Sequence, residues 1–383
     1  MEIDHSKIAQ DCIEAFKNQY KDLKKLNIIV IGKSGVGKGT LINSLFRGNF
    51  ADTGLGRPVT KKIRIIEKPD YPLAIYDTPG FELGKDQQDT VKNGIIDLIN
   101  KGIASKDINQ AIHCIWYCVN VGGNRTFDSS EIEWIKSLTK DNATARVPII
   151  VVLTMAFPKS KAREMKALVE KENLDVAKVV PVLAQDIDFD GEWKAEAYGL
   201  DTLVRVMADV LPEELRKTFQ NIQKADLESK KKYAQGIVAA TVAASFGEGF
   251  IPKKIPDAAL LIPTQVTMIA SISVVFGLDV SKSFLIGFVS STIGTVSATL
   301  IGKKIVTTLL SLCTKLGKLA GGLISGAVAG VLTTALGEAY IQIMSMVFTG
   351  EMSQDEFENE AGQEKMNEIY REELKKRHVP FVQ

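Results

Sequence analysis

The sequence predicts an α/β domain with a mostly parallel sheet and one antiparallel strand, followed by a separate all-α helical domain. Three observations carry this. Short β-branched runs alternate with amphipathic helical runs as far as residue 211, the pattern of a sheet covered on both faces. A glycine-rich loop lies between the first strand and the helix that follows it. Charge then thins: residues 257–350 hold eight charged residues, Asp257, Asp279, Lys282, Lys303, Lys304, Lys315, Lys318 and Glu338.

The elements follow in order. Residues 3–26 read as an amphipathic helix, with Ile8, Phe16, Tyr20 and Leu23 near helical spacing. The run 27–31 is dense in β-branched residues and reads as a strand. A helix starts at Leu41. Strands are predicted at 62–67, 73–76, 111–119, 148–154 and 178–182, and helices at 86–104, 128–140, 159–173 and 199–211. The gap between 62–67 and 73–76 is too short for a crossover helix, so that pair is an antiparallel hairpin. Residues 213–235 read as one charged linker helix. Sparse apolar points, Phe357, Met366, Ile369 and Leu374, mark a charged helical tail. The predicted divisions are 1–26, 27–211, 212–235, 236–350 and 351–383.

Composition narrows the function classes. The 383 residues suit two or three domains, and a net charge of +1 excludes a basic nucleic-acid-binding chain. No basic patch is interleaved with aromatics, so there is no direct nucleic-acid signal. Cys12, Cys114, Cys118 and Cys313 are too scattered for a disulfide framework or a zinc site. Cys114 and Cys118 sit in a strand-like run and read as buried thiols. His5, His113 and His378 form no H-E-x-x-H pattern. The acidic, polar start lacks the apolar core of a signal peptide, which predicts a cytoplasmic location.

The strongest motif is Gly32, Lys33, Ser34, Gly35, Val36, Gly37 and Lys38, the G-x-x-x-x-G-K part of a P-loop between a strand and a helix. Glycines let backbone N–H groups approach phosphate oxygens, and the helix N-terminus adds positive potential. Lys38 is placed to reach β- and γ-phosphates. The next position, which ordinarily supplies a Mg²⁺-binding hydroxyl, is Gly39; Thr40 follows and is nearer the α-phosphate or reaches the metal through water. Asp77 ends a strand in Asp77-Thr78-Pro79-Gly80, suited to hold Mg²⁺ through water, with the Gly80 N–H sensing a γ-phosphate. Between the two motifs, Thr53–Thr60 suits a first switch segment in which Thr60 meets the metal and the γ-phosphate. Arg57 has two readings, an arginine finger or a solvated loop charge. Phe81 stands where a water-orienting glutamine would help, which predicts slow hydrolysis.

With these motifs, residues 27–210 resemble a translation-factor-related small GTPase of the branch that contains the Era-like bacterial GTPases. The resemblance implies a Ras-like P-loop G domain, GTP/GDP and Mg²⁺ as ligands, and a nucleotide switch. It implies base reading by an N/T-K-x-D box after the fifth strand. Here Thr154 fits that box, Met155 replaces the lysine and Phe157 replaces the aspartate. A carboxylate accepts from guanine N–H groups and a phenyl ring does not, although Met155 can pack on a purine face. The run Leu183-Ala184-Gln185 resembles the family's S-A-K loop, which makes the Ala184 N–H a candidate partner for guanine O6.

Three uncharged runs, 258–278, 283–302 and 319–337, are each long enough to cross a bilayer as a helix. Their Pro263, Gln265, Ser290, Thr295 and Ser297, and their lack of aromatic belts, suit a tightly packed soluble bundle equally. Both readings stay open. The region around Asp257–Met268 resembles a helical domain of unknown function found behind G domains in bacterial GTPases, and more loosely the immunity-related GTPases. The expected function is a GTP-binding protein whose nucleotide state governs the helical domain through dimerisation, as a homodimer through the G domain, or through membrane engagement by 258–337. The rivals are a non-hydrolysing nucleotide-binding scaffold, a purine-nonselective NTPase, and a transporter component with a regulatory G domain.

Overall fold

A computed structural model describes residues 14–47, 50, 63–78, 85–122, 129–141, 145–246, 254–255, 261–277, 324–353, 356 and 360–377. Arg57, Thr60, Gly80, Phe81 and the whole 283–302 run lie outside them. The chain divides into two units, Leu23–Asp226 and, together, Met1–Asp22 with Leu227–Gln383.

The first unit holds a six-stranded sheet. Its strands are β1 (Leu26–Ile31), β2 (Arg64–Glu67), β3 (Leu73–Asp77), β4 (Cys114–Asn120), β5 (Ile149–Thr154) and β6 (Lys178–Pro181), in the spatial order β2-β3-β1-β4-β5-β6. All neighbours are parallel except β2 and β3, which pair antiparallel from Arg64 opposite Asp77 to Glu67 opposite Ala74. This is the hairpin that the short gap requires. Helices α1 (Lys38–Leu45), α2 (Lys85–Ser105), α3 (Ser129–Asp141), α4 (Lys159–Lys171) and α5 (Leu200–Val210) connect or follow the strands.

Strand alternation builds two cores. Ile28, Val30, Cys114, Trp116, Cys118, Ile150, Val152 and Val180 point to one face and pack with Leu41, Leu45, Leu203 and Met207 from α1 and α5. Ile29, Ile31, Ile115, Tyr117, Val119, Val151 and Leu153 point to the other and pack with Ile95, Ile135, Met165 and Val169 from α2, α3 and α4. Because both faces are covered, the central strands read as unbroken apolar runs rather than alternating ones.

Two helix boundaries differ from expectation. The described helix near the amino end covers residues 14–21, and the chain then turns so that the Leu26 N–H reaches the Pro72 carbonyl at 2.9 Å; the predicted helix to residue 26 stops short because β1 claims its last residue. The single helix expected over 213–235 is two, α6 (Glu213–Ile222) and α7 (Leu227–Phe246). Tertiary bonds break it. The Arg47 N–H donates to the Ile222 carbonyl at 2.8 Å, and the Lys224 N–H to the Leu45 carbonyl at 2.9 Å. The Gln223 Oε1 accepts from the Ala225 and Asp226 N–H groups at 2.8 and 3.0 Å. As a result α6 belongs to the first unit, where Leu215, Phe219 and Ile222 are fully buried in the same core as Leu26 and Trp116. A further two-stranded hairpin, β7 (Ile187–Phe189) with β8 (Trp193–Ala195), was not anticipated.

The second unit is helical, with α7 packing on α8 (Leu261–Phe276) and α9 (Gly326–Thr349), and α9 on α10 (Glu360–Lys376). A two-residue ladder joins β9 (Lys254–Ile255) to β10 (Ile324–Ser325). The side chain of Lys230 on α7 is fully buried; its ammonium donates to the Val275 carbonyl at 2.9 Å, near the C-terminus of α8, and lies 5.5 Å from the Phe348 ring. Among the described residues, the first uncharged run forms a helix of 16 residues and the third lies partly in α9. Within α9, Ala329–Thr349 is long and apolar enough to cross a membrane, by length and composition, yet 61% of that window is buried inside the protein. A core helix passes the same test.

Candidate nucleotide site

The site grows from the carboxyl ends of β1, β3, β4 and β5, where parallel sheets leave a crevice. After Ile31 the chain enters the loop at Gly32, whose φ is +153°; a Cβ there would stand 2.6 Å from the Cys118 carbonyl oxygen, so the loop can lie against β4 only with glycine. Gly37, at φ +90°, turns the chain into α1. Its side-chain space is bounded by Met155, whose Cε would lie 3.5 Å from a Cβ on Gly37. Ser34 and Gly35 form the crest of the loop and Val36 is buried beneath it. The Thr154 hydroxyl, itself buried, sits 2.5 Å from the Val36 carbonyl and 3.1 Å from the Val119 carbonyl, tying the loop to β4 and β5. Its side chain therefore serves the loop's shape.

Charge is arranged around this loop. Lys38, the first residue of α1, donates from Nζ to the carbonyls of Gly32 at 2.9 Å and Lys33 at 3.1 Å, so its ammonium spans the loop's inner side. The Lys33 ammonium lies 3.3 Å from the buried Glu131 carboxylate on α3. Asp77 ends β3. Burial raises its carboxyl above the ordinary carboxylate range, and the nearby Lys38 and Arg64 cations oppose that rise. Its Oδ1 is buried and has no hydrogen-bond partner among the described residues. An orphaned carboxylate oxygen beside the P-loop lysine fits a hydrated divalent cation, the role expected for Mg²⁺. The next residue, Thr78, is anchored by its N–H and hydroxyl to the Val30 carbonyl at 3.1 and 3.2 Å. The Cys118 thiol, pushed up to about 12 by burial, is inert packing.

A cavity of about 590 Å³ opens beside the loop, lined among others by Gly37, Thr40, Asn120, Met155, Phe157 and Ala184. Thr40 and Ala184 thus face one space with Met155, and Asp77 is not part of it. Gly39 lies inside the first turn of α1. Gln185 of the S-A-K-like run lines the cavity too; sequence reasoning missed Asn120, Asp186 and Phe189, which also line it. The signal for the last two was present: Asp190-Gly191, at φ +53° and +77°, is a hairpin turn pair that places Phe189 beside the pocket.

The sheet order, the strand–loop–helix P-loop and the adjoining pocket together form the framework of a P-loop nucleotide-binding domain. Residues 27–155 match the family described as 50S ribosome-binding GTPase, and residues 207–378 match a domain of unknown function, DUF697. Neuronal-specific septin-3 of Danio rerio is 26% identical over 193 residues, covering 44% of this chain and 52% of that protein. Cell division control protein 10 of Saccharomyces cerevisiae is 35% identical over 79 residues, covering 16% of this chain and 24% of that protein. The chain thus spans about half the length of the first relative and less of the second. Among solved structures, Aquifex aeolicus Era bound to GDP.AlF4- is 20% identical with a TM-score of 0.34, covering 59% of this chain and 69% of that one. The septin GTPase domain of Chlamydomonas reinhardtii is 19% identical with a TM-score of 0.29, covering 39% and 60%.

Proposed function

We propose that this protein binds GTP and GDP with Mg²⁺, hydrolyses GTP slowly, and uses its nucleotide state to control the helical unit. The observation that supports this best is the geometry of Lys38, at the start of α1, beside a cavity large enough for a nucleoside. Lys38 exchanges its loop carbonyls for phosphate oxygens, and the N–H groups of the loop and of α1 hold the phosphates. Bound Mg²⁺ would neutralise charge between the β- and γ-phosphates, held by Asp77 through water and by Thr60. Gly39 supplies no hydroxyl and Phe81 orients no water, so turnover is slow; Arg57 is the residue available to assist it. Gly80 is the γ-phosphate sensor. The output is homodimerisation through the GTP-binding unit or engagement of a membrane by the helical unit, in the cytoplasm or at its membrane face.

Single-turnover GTP hydrolysis by the full chain with Mg²⁺ tests this. A rate on the order of 10⁻³ s⁻¹ or below is expected, as for unassisted P-loop GTPases, with loss of both binding and turnover in Lys38→Ala. Binding with no turnover would favour the second reading, a non-hydrolysing scaffold, for which Gly39 speaks. Light scattering with a non-hydrolysable GTP analogue against GDP reads dimerisation, and co-sedimentation with vesicles reads membrane engagement.

A further inference from the structure

We infer that the pocket does not read the 2-amino group of guanine: it holds the purine against an aromatic wall centred on Phe157 and recognises the 6-oxo group alone. This rests on the nucleotide reading above and specifies the ligand it takes. Guanine presents two donors on one edge, N1–H and the 2-amino group. A site that reads both places a free acceptor, usually a carboxylate, opposite them.

Among the described residues, this pocket presents no unengaged carboxylate. Three residues beyond Thr154, Phe157 lines it with Met155 and Phe189. The Phe157 ring lies 5.6 Å from Phe189 and 5.4 Å from Trp193, which are themselves 5.2 Å apart. The rings tilt at 32–44° to one another, an interlocked cluster and a face on which any purine stacks. Asp186 is the one carboxylate lining the pocket among the described residues, and both its oxygens are engaged. Its Oδ1 accepts from the Ala197 N–H at 2.6 Å, and its Oδ2 pairs with the Lys194 ammonium at 2.7 Å. Those bonds fasten the β7–β8 hairpin. The Asn120 amide oxygen accepts from the Gly122 N–H at 2.7 Å.

The 6-oxo group is the opposite case. It needs a donor. The Val182 N–H is given to the Leu153 carbonyl and the Leu183 N–H to the Tyr198 carbonyl. The next residue, Ala184, lines the pocket, and its N–H makes no hydrogen bond among the described residues. A backbone N–H accepts a purine with a 6-oxo group and opposes the 6-amino group of adenine. Inosine nucleotides, which keep the 6-oxo group and lack the 2-amino group, therefore separate the two recognition modes.

The test is displacement of a fluorescent N-methylanthraniloyl GDP from the full chain by GDP, IDP and ADP, with Mg²⁺. GDP and IDP are expected to compete within threefold of each other, and ADP at least tenfold more weakly. A site with a hydrogen bond to the 2-amino group would reject IDP strongly, because the acceptor would be left unpaired. Phe157→Asp should create that preference, favouring GDP over IDP by tenfold or more. Phe157→Leu should weaken both alike, by about fivefold or more, as expected for a lost stacking surface. A tenfold preference of the parent chain for GDP over IDP would overturn the inference, as would equal displacement by ADP. Failure of the fluorescent GDP to bind at all would instead overturn the nucleotide reading on which it rests. The parent comparison stands even where a variant does not fold.

Discussion

Gly39 follows the P-loop lysine, where a hydroxyl would ordinarily reach the metal, and it lies within the first turn of α1. Replacing it with serine adds a ligand and removes a flexible residue from a helix, worth a few tenths of a kcal/mol in helix preference. Gly39→Ser should therefore strengthen nucleotide binding with Mg²⁺ by roughly tenfold, the size of one hydrogen bond to a charged group, and change it little with a chelator. Titration of GDP under both conditions reads this; equal gains in both would mean that the added hydroxyl never meets the metal. His113 shows a residue whose role is structural. It is buried, its Nδ1 accepts from the Asn27 N–H at 2.9 Å, and its Nε2 lies 2.8 Å from the Ile108 carbonyl, so Nε2 carries the proton. Burial drives its pKa down to about 4, against the hydrogen bond to the Ile108 carbonyl, which favours the charged form. Between about 4 and 6.5 the unfolded chain binds this proton and the folded chain does not. The contribution is full above pH 6.5, falls away as pH drops towards 4, and amounts to about 3 kcal/mol. Relative to His113→Gln, the parent should lose most of that unfolding free energy, about 2.5 kcal/mol, between pH 7.5 and pH 4.5 in urea titrations. A constant difference across that range would exclude the neutral buried imidazole.

At the scale of the element, the helical unit depends on close approach between α7, α8 and α9. A Cβ added at Gly337 on α9 would stand 2.5 Å from Val238 Cγ2 on α7 and 3.3 Å from Met268 Cε on α8. The valine is stiff at χ1 and cannot swing away. Gly337→Leu should therefore destabilise this unit by about 1–3 kcal/mol through overpacking, in spite of leucine's better helix propensity. Thermal melting followed by circular dichroism checks it; an unchanged or raised midpoint would show that α7 can retreat without cost. The central strands of the first unit were legible because they are buried, β-branched-rich runs, such as Ile149–Thr154. The β2–β3 hairpin was legible from loop length alone. The β7–β8 hairpin escaped because its three-residue strands carry Asp188 and Lys194 among their few side chains, although Asp190-Gly191 marked the turn. The break at 223–226 escaped for a different reason. No proline or glycine interrupts that stretch, and the bonds that end α6 come from Arg47 and Leu45, far away in sequence. At the site, spacing revealed the phosphate loop and the altered base box. It did not reveal that the Thr154 hydroxyl serves the loop, or that Asp186 and Phe189 line the cavity beside it.

At the scale of the whole molecule, the boundary between units becomes a quantitative matter. Sequence pattern ends the first unit at residue 211, where Leu211-Pro212 closes the alternation of strands and helices. The folded chain ends it at Asp226, because α6 returns to the sheet. Leu215, Phe219 and Ile222 on α6 have no exposed surface and share a core with Leu26, Phe46 and Trp116. Each such side chain contributes roughly 1.5–3 kcal/mol when fully buried. Three of them amount to about 5–9 kcal/mol, comparable with the whole stability of an ordinary domain. Cutting at Leu211 also strips the partners of Arg47, whose Nε donates to the Asn221 carbonyl at 2.8 Å and whose guanidinium reaches Asn221 Oδ1 at 3.0 Å. Arg47 lies just beyond α1, the helix that begins with Lys38, so this loss also loosens the support of the phosphate loop. A fragment of residues 23–226 should fold and bind GDP within about threefold of the full chain. A fragment of residues 23–211 should be largely unfolded, with weak dispersion in its NMR spectrum and no GDP binding. If the shorter fragment folds and binds as well as the longer, α6 is an accessory helix and the sheet core closes without it.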